Sequence, residues 1–340
     1  MSLPKPVEGL TRRERGPLLD RFARAHTYLR LSVTDRCNYR CTYCMPASGL
    51  TWLKREDILS FEEIVRIVRA LAAMGVRTVR LTGGEPTIRS GLPDLVSQLS
   101  EIDGIDDIAM TTNGHLFASR AQAFADAGLK RINVSLDTVD PDQFAAITRG
   151  GNLAKVLEAI DAAQAVGLGP VKINCVVVGG LNDEQVHEMV ETFGPEVIVR
   201  FIEYMPFGGN DDRKKHVPAS EIRARLAQRY TLEPTSRRSG YGPARNYRIV
   251  ETGQVIGFIS PMTEHFCEAC NRLRLQADGH LRTCLSRDGT PSLRDVLRAG
   301  ASDEEISRVL RGMVWQKVAG HEAHLETYRP FDGVMTSVGG

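Results

Sequence analysis

Strand-like and helix-like segments alternate along the chain from Tyr28 to about Met205. The clearest helical segment covers residues 60–74, where Ser60 and Glu63 have the spacing of a capping box and Gly75 follows as a stop signal. Repeated βα units of this kind predict a parallel sheet, either doubly wound or closed into a barrel. The predicted strands are residues 28–33, 77–82, 108–112, 131–136, 171–178 and 197–204.

Four of these strands are polar on one face and apolar on the other, because side chains alternate along a strand. A parallel strand that is covered on both sides is apolar throughout. The pattern therefore favours a barrel whose polar faces line a cavity that opens at the carboxyl ends of the strands. The sixth strand departs from the pattern, since Arg200 and Met205 fall on opposite faces of a regular strand. The polar positions are Arg30, Ser32, Thr34, Thr78, Arg80, Thr82, Asn133, Ser135, Asp137, Lys172 and Asn174.

The character of the sequence changes after Met205. Residues 207–215 are rich in glycine and charge, and a helix candidate at 220–229 and strand-like runs around 245–250 and 255–259 follow. We predict an N-terminal extension at 1–27, a partial barrel at 28–206, a smaller C-terminal domain at 207–330 and a tail at 331–340.

Composition excludes several classes of partner. The formal net charge of +1 gives no general attraction to nucleic acid or to an acidic membrane, so an anion site has to come from local placement of charge. No apolar run is long enough to span a bilayer, and the polar N-terminus lacks the apolar core of a signal peptide. We expect no nucleic-acid partner and no membrane partner.

The seven cysteines form two tight groups with Cys175 left over in an apolar run, where a small buried hydrophobe is the expected role. An odd number in this arrangement is poor material for disulfides and suits a reducing compartment, so we expect the cytoplasm.

The first group is Cys37, Cys41 and Cys44, directly after the first predicted strand. A [4Fe–4S] cluster ordinarily takes four cysteines, so three would leave one iron open to a small-molecule ligand. Zinc ligands usually come as two separated pairs, which favours iron–sulfur here over a zinc loop with a distant fourth ligand. Residues 82–87, with Gly83, Gly84 and Glu85, form a turn after the second strand in which backbone can approach a ligand closely; the turn is neither a dinucleotide fingerprint nor a P-loop.

The second group is Cys267, Cys270 and Cys284. Taken alone it fits either an iron–sulfur cluster or a zinc site completed by His265 or His280. In an extended segment Arg272 and Arg274 share a face beside this group, and guanidinium forks suit phosphate oxygens. Together with other basic residues expected in the cavity they predict a polyanionic substrate; these others are Arg30, Arg80, Lys172 and Arg200.

The cysteine triplet and the glycine turn resemble the signature of the radical S-adenosylmethionine (SAM) enzymes. With residues 110–114, 201–206 and 271–275 and the second cysteine group, the chain resembles the GTP 3′,8-cyclases of molybdenum cofactor biosynthesis from Tyr28 to Gly340. The resemblance implies an α/β fold, an incomplete (βα)6 TIM-like barrel of the radical SAM type whose open side is closed by a smaller C-terminal α+β domain. It implies two [4Fe–4S] clusters, one on each cysteine group, with SAM at the first and the guanine of GTP at the second.

The activity that the resemblance implies is conversion of GTP to (8S)-3′,8-cyclo-7,8-dihydroguanosine 5′-triphosphate. A 5′-deoxyadenosyl radical would take the ribose 3′ hydrogen, and C3′ would then attack C8. Implied partners are GTP, SAM, a reductant such as flavodoxin or ferredoxin, and cyclic pyranopterin monophosphate synthase downstream, with the chain acting as monomer or homodimer.

Site residues follow from the resemblance position by position. The implied SAM contacts are Tyr43, Gly84, Ser135 and Met205, and the implied GTP contacts are Arg30, Arg80, Thr111, Lys172, Arg272 and Arg274. Further candidates are Arg200, Glu85, Asn133 and the terminal Gly339 and Gly340, whose family counterparts reach into the active site. Thr78 departs from the family pattern, which often has a lysine there.

Three other readings stay open from the sequence. They are another radical SAM enzyme with an auxiliary cluster, a non-catalytic iron–sulfur redox protein and a structural zinc protein.

Overall fold

The computed structural model of the chain describes residues 4–205, 207, 215–235, 242–286, 291–320 and 335. All six predicted strands form, each within one residue of its predicted bounds. They are β1 (Tyr28–Ser32), β2 (Thr78–Thr82), β3 (Asp107–Thr112), β4 (Arg131–Ser135), β5 (Val171–Val177) and β6 (Val197–Glu203).

The described part of the chain contains nine α-helices, most of them between strands. They are α1 (Phe61–Ala73), α2 (Leu92–Ser100), α3 (Ala121–Asp126), α4 (Pro141–Thr148), α5 (Leu153–Ala165), α6 (Val186–Glu191), α7 (Ala219–Leu226), α8 (Leu293–Arg298) and α9 (Asp303–Trp315). The predicted capping box is present at α1, where the Ser60 side chain accepts from the backbone of Glu63 and the Glu63 side chain accepts from the backbone of Ser60. Gly75, at φ 101°, ends that segment as expected.

The six strands run parallel in chain order, and their alternation separates two environments. Leu29 and Leu31 on β1 and Val79 and Leu81 on β2 are fully buried in the main apolar core. The opposite faces of β1 to β6 all contribute to the wall of one cavity, which requires the sheet to curve around it. The curved sheet confirms the α/β barrel over the flat, doubly wound alternative.

The C-terminal part contributes five further strands to the described structure: β7 (Leu232–Pro234), β8 (Arg245–Ile249), β9 (Val255–Ile259), β10 (Arg272–Leu275) and β11 (Leu281–Arg282). They do not form a sheet of their own. β10 pairs in parallel with β1, and β9 pairs in parallel with β6, so one sheet of 11 strands has the order β11-β10-β1-β2-β3-β4-β5-β6-β9-β8-β7. The C-terminal part therefore extends both edges of the partial barrel.

The departure predicted for the sixth strand has a simple cause. β6 ends at Glu203, so Met205 lies beyond the region where side chains alternate, and both Arg200 and Met205 line the cavity. Among the residues that the structure describes, no helix is both long enough and apolar enough to cross a membrane.

Candidate active site

A cavity of about 340 Å³ lies at the carboxyl ends of the parallel strands. Both cysteine groups line it: Cys37, Cys41, Cys44, Cys267, Cys270 and Cys284. So do most other candidates from the sequence, namely Arg30, Tyr43, Arg80, Gly84, Glu85, Thr111, Asn133, Ser135, Arg200, Met205, Arg272 and Arg274. Two cysteine groups that are more than 200 positions apart in the chain thus face one space.

Three candidates lie elsewhere or cannot be placed. Lys172 is 2% exposed, stands in register with Asn133 on β4 and is not among the residues that line the cavity, so its contact with GTP stays a prediction. Gly339 and Gly340 lie outside the described residues. Met335, from the same tail, does line the cavity and packs near Met262 and Phe207.

The first cysteine loop is held by the end of α4. The backbone amides of Arg40 and Thr42 donate to the carbonyls of Thr148 and Ile147 at 3.2 and 2.9 Å. The guanidinium of Arg149, a residue with φ 55°, donates to the carbonyls of Arg40 and Met45 at 2.8 and 2.9 Å. These contacts fix the backbone that presents the three thiols, and the sequence motif contains none of the α4 partners.

The glycine turn supports the same loop. Gly84 N donates to Thr34 O and Glu85 N donates to Arg36 O, both at 2.8 Å. A Cβ on Gly84 would stand 2.2 Å from Arg36 O, and one on Gly83 would stand 2.6 Å from Thr34 O. We expected these glycines to let backbone approach a ligand, but the close neighbour is the backbone of the cysteine loop, although Gly84 also lines the cavity.

The carboxylate of Glu85 is turned into the protein. It is 1% exposed and accepts from Thr87 N and Thr87 Oγ1, from Thr112 Oγ1 and from Asn113 N, at 2.6 to 3.0 Å. Burial raises the pKa of Glu85, although these hydrogen bonds oppose the rise. Glu85 therefore joins the end of β2 to the end of β3.

The donor set of the first loop fits an iron–sulfur cluster. Cys37, Cys41 and Cys44 are partly exposed to the cavity, and the Cys37 sulfur accepts a bond from Tyr39 N at 3.4 Å. Burial raises the pKa of Cys37 to about 11, so a bound cation has to supply the charge that makes this thiol a thiolate. The described residues contain no group of three Cys, His, Asp or Glu side chains close enough to hold a single ion. A cluster, by contrast, takes each cysteine at a different iron.

The second group has a more cationic setting. Burial opposes ionisation of Cys270, but Lys317 and Arg272 outweigh it and lower the pKa of this thiol to about 6. The two histidines proposed to complete a zinc site are engaged elsewhere: His265 Nδ1 contacts Pro261 O at 2.9 Å and His280 Nδ1 contacts Asp278 at 3.1 Å. Neither histidine lines the cavity that the cysteines share.

A row of arginines crosses three neighbouring strands. Arg30 on β1 stands in register with Arg80 on β2 and with Arg274 on β10. Burial lowers the pKa of Arg30 to about 10, and that of Arg200 on β6 to about 9, with Arg80 adding to the effect in both. Like charges placed side by side in a buried wall are unfavourable unless an anion joins them.

Several polar atoms in the described part of the same wall lack a hydrogen-bond partner. Among the described residues, Arg80 Nη1, Arg200 Nε, Thr111 Oγ1 and Asn133 Oδ1 are buried without a hydrogen-bond partner. Buried polar groups are nearly always satisfied in the working state of a protein. The wall is therefore built for a polar, anionic ligand.

Tyr28 and Glu203 are residues of the site that were not among the sequence candidates. The Tyr28 hydroxyl accepts a hydrogen bond from Arg80 Nε and lines the cavity. Glu203 accepts from the backbone amides of Ala219 and Met262 at 2.9 Å and so ties the end of β6 to the C-terminal part. Tyr28 could have been noticed from its place on the polar face of β1, but Glu203 had only its position in residues 201–206 as a signal.

A curved α/β sheet with three cysteines at its mouth and a shared cavity defines a radical SAM enzyme. The family model for the Radical SAM superfamily matches residues 31–193, and the model for Molybdenum Cofactor Synthesis C matches residues 197–323. The crystal structure of Streptococcus suis SuiB bound to S-adenosylmethionine has a TM-score of 0.59 and 16% identity, covering 89% of this chain and 76% of that one. The SuiB structure with precursor peptide SuiA gives 0.60 and 16%, covering 86% and 67%. At this identity the likeness concerns the fold alone.

Full-length relatives define the family. The GTP 3′,8-cyclase of Pelotomaculum thermopropionicum is 46% identical, covering 94% of this chain and 99% of the relative. That of Moorella thermoacetica is 44% identical over the same shares, and the mitochondrial GTP 3′,8-cyclase of Arabidopsis thaliana is 42% identical over 95% and 83%. The chain belongs to the GTP 3′,8-cyclase family of radical SAM enzymes, which uses two [4Fe–4S] clusters and SAM.

Proposed function

We propose that this chain catalyses the conversion of GTP to (8S)-3′,8-cyclo-7,8-dihydroguanosine 5′-triphosphate, an early step of molybdenum cofactor biosynthesis. The observation that carries the proposal is that two three-cysteine groups and a row of arginines line one cavity. A nucleoside triphosphate fits this cavity, because its phosphates pair with the guanidinium groups and its base reaches the second cysteine group.

Cys37, Cys41 and Cys44 hold the first cluster, and Tyr43, Gly84, Ser135 and Met205 surround the SAM that binds to it. A reduced cluster held there would supply the electron that splits SAM into methionine and the 5′-deoxyadenosyl radical, which takes the 3′ hydrogen of GTP. Bond formation between C3′ and C8 then leaves an odd electron on the purine, and one further electron and one proton complete the dihydro product.

Cys267, Cys270 and Cys284 would hold the second cluster, which would offer an open iron to the guanine of GTP. Arg30, Arg80, Arg272 and Arg274 hold the triphosphate, with Thr111 beside them, and Arg200 and Asn133 complete the wall. Lys172 is buried behind the cavity wall, and its positive charge attracts the triphosphate. Glu85 acts by positioning the cysteine loop, and Gly339 and Gly340 take part at the active site as the family resemblance implies.

The reaction needs two electrons per turnover from a small carrier such as flavodoxin or ferredoxin. Its product is the substrate of cyclic pyranopterin monophosphate synthase. The chain acts in the cytoplasm, where its thiols stay reduced, as a monomer or a homodimer.

Isotope tracing tests the function directly. The anaerobically reconstituted chain is incubated with dithionite, SAM and GTP that carries deuterium at C3′. The proposal predicts 5′-deoxyadenosine with one added deuterium and a cyclised guanine nucleotide. Formation of 5′-deoxyadenosine without deuterium and without a nucleotide product would assign the radical to another substrate.

Cysteine variants separate the two clusters. Cys37→Ala should abolish SAM cleavage. Cys267→Ala should retain the first cluster but lose productive binding of GTP, and full cyclisation by this variant would contradict the two-cluster assignment. Cys175→Ala is the matched control, because Cys175 is buried in the core and lies outside the cavity.

A further inference from the structure

A buried network outside every sequence motif supports the second cysteine group. The guanidinium of Arg24, in the N-terminal extension, donates to Cys267 O at 2.8 Å. The same group donates to Ala319 O at 2.6 Å and to Val318 O at 2.7 Å. One side chain thus joins the N-terminal extension, the cysteine loop and the segment that follows α9.

Arg24 is itself fixed in place. Its Nε donates to Asp20 Oδ2 at 2.7 Å, and that carboxylate also contacts His26 Nε2 at 3.1 Å. The backbone amides of Phe22 and Arg24 donate to the other oxygen of Asp20 at 2.9 and 3.1 Å. Because Asp20 is fully buried and pairs with Arg24, the charge of Arg24 is balanced within the network.

Lys317 lies in the same network and points at a sulfur. Its Nζ is 3.5 Å from Cys270 Sγ and donates to Arg272 O at 2.7 Å. The residue is 2% exposed. Burying an ammonium group is costly unless the group is well paired. A buried lysine that is aimed at a cysteine sulfur therefore indicates a favourable interaction with that sulfur.

We propose that Lys317 is a positioning residue for the second cluster: it donates a hydrogen bond to the sulfur of Cys270 and makes the bound cluster easier to reduce, while Arg24 fixes the Cys267 backbone. The inference rests on the proposed function, because it takes Cys270 as a cluster ligand. Hydrogen bonds and positive charge at the ligand sulfurs raise the reduction potential of an iron–sulfur cluster, since they stabilise the added electron. Through Arg272 O, the same amine also ties the cluster loop to the strand that carries two of the proposed GTP contacts.

The test compares Lys317→Met with wild type in the full chain after anaerobic reconstitution. Methionine has a similar length and no donor. A redox titration followed by electron paramagnetic resonance reports both clusters, and the signal that responds to added SAM belongs to the first. The second signal should require a lower potential in Lys317→Met, with the ratio of reduced to oxidised cluster changed about tenfold at a given potential, about 59 mV for one electron.

Two further variants make the result specific. Arg308→Met removes an exposed cation from α9 and should leave both signals at their wild-type potentials. If Lys317→Met loses iron from the second site, Lys317→Arg, which keeps N–H donors and charge, should restore it. An unchanged second potential in Lys317→Met, or failure of Lys317→Arg to restore lost iron, overturns the role of Lys317.

Measurements on wild-type protein distinguish failure of the Lys317 role from failure of the proposed function. A wild-type chain that binds two clusters and cyclises GTP, with no effect of Lys317→Met on the second signal, removes only the role of Lys317. A wild-type chain without a second cluster removes the proposed function and this inference with it.

Discussion

The hydroxyl of Tyr43 donates a 2.6 Å hydrogen bond to the carboxylate of Asp137. Tyr43 belongs to the first cysteine loop, which leaves β1, whereas Asp137 follows β4, three strands away in the sheet. The second oxygen of Asp137 accepts from Val176 N on β5 at 2.8 Å. The cysteine loop therefore reaches across the mouth of the barrel and is anchored on its far side, which places the thiols over the cavity.

Asp137 should give the fold a specific pH dependence. Burial raises the pKa of Asp137 to about 6, well above its unfolded value near 4. The unfolded chain loses this proton first, so the contribution of Asp137 to stability is fully present below pH 4 and is lost as pH rises through 6, a loss of about 3 kcal/mol. Asp137→Asn should lack the loss, because its amide can still bond to Val176 N and to Tyr43.

Urea unfolding of cluster-free protein between pH 4 and pH 7 measures this difference. Asp161→Asn, at an exposed position on α5, is the control and should follow wild type. Equal pH slopes for wild type and Asp137→Asn would contradict the account of Asp137.

Lys172 should couple GTP binding to proton uptake. Burial, and next the charge of Arg200, lowers the pKa of Lys172 to about 6. A triphosphate in the cavity raises that pKa again, so above pH 6 binding takes up close to one proton and affinity falls as pH rises. Calorimetry at about pH 8 in buffers of different ionisation enthalpy counts the protons, and Lys172→Met should bind GTP with that uptake lost. An unchanged proton count in Lys172→Met would exclude this role.

The arginine row should destabilise the folded chain when no substrate is bound. Arg30→Met removes one of three neighbouring guanidinium groups from the half-buried cavity wall, so the nucleotide-free chain should gain about 1 kcal/mol in unfolding free energy. The same change should weaken GTP binding about tenfold or more, because a charged phosphate contact is lost. Thermal unfolding and GTP titration measure the two effects.

Arg69→Met, at an exposed position on α1, is the control for Arg30→Met and should change neither quantity. An Arg30→Met chain that is less stable and still binds GTP normally would make Arg30 a structural residue.

Gly84 should be intolerant of any side chain. The methyl group of Gly84→Ala would meet Arg36 O at 2.2 Å, so the cysteine loop has to move, at a cost of about 1–3 kcal/mol or more. The first cluster should be lost and iron should fall to about half of the wild-type content, which iron and sulfide analysis measures. Gly194→Ala, where a Cβ meets nothing within 4 Å, should keep its iron. Full iron content in Gly84→Ala would show that the loop adapts.

The sequence predicted the six parallel strands well because strand-like and helix-like segments alternate along the chain, which is a local and repeated signal. It did not predict that β10 and β9 would join opposite edges of that sheet, since pairing between distant strands leaves no local signal. The cysteine groups were visible from their spacing alone. The supports around them were not: Arg149, Asp137, Arg24 and Lys317 meet the cysteine loops only after folding, and the Arg24 contact with Cys267 spans 243 positions.

Lys172 shows the limit of the alternation argument. Alternation assigns Lys172 to the polar face of β5, but it gives the face of a side chain and not its depth in the barrel. Lys172 lies beneath the cavity wall, while Asn174, two residues further along β5, lines the cavity.

The central claim is that two iron–sulfur clusters share one cavity with GTP, and one measurement tests it most directly. Protein purified without oxygen is analysed for iron and sulfide, then incubated with dithionite, SAM and GTP. The account predicts about eight irons per chain, with 5′-deoxyadenosine and a cyclised guanine nucleotide formed in equal amounts. About four irons, or SAM cleavage without any change in GTP, would contradict it.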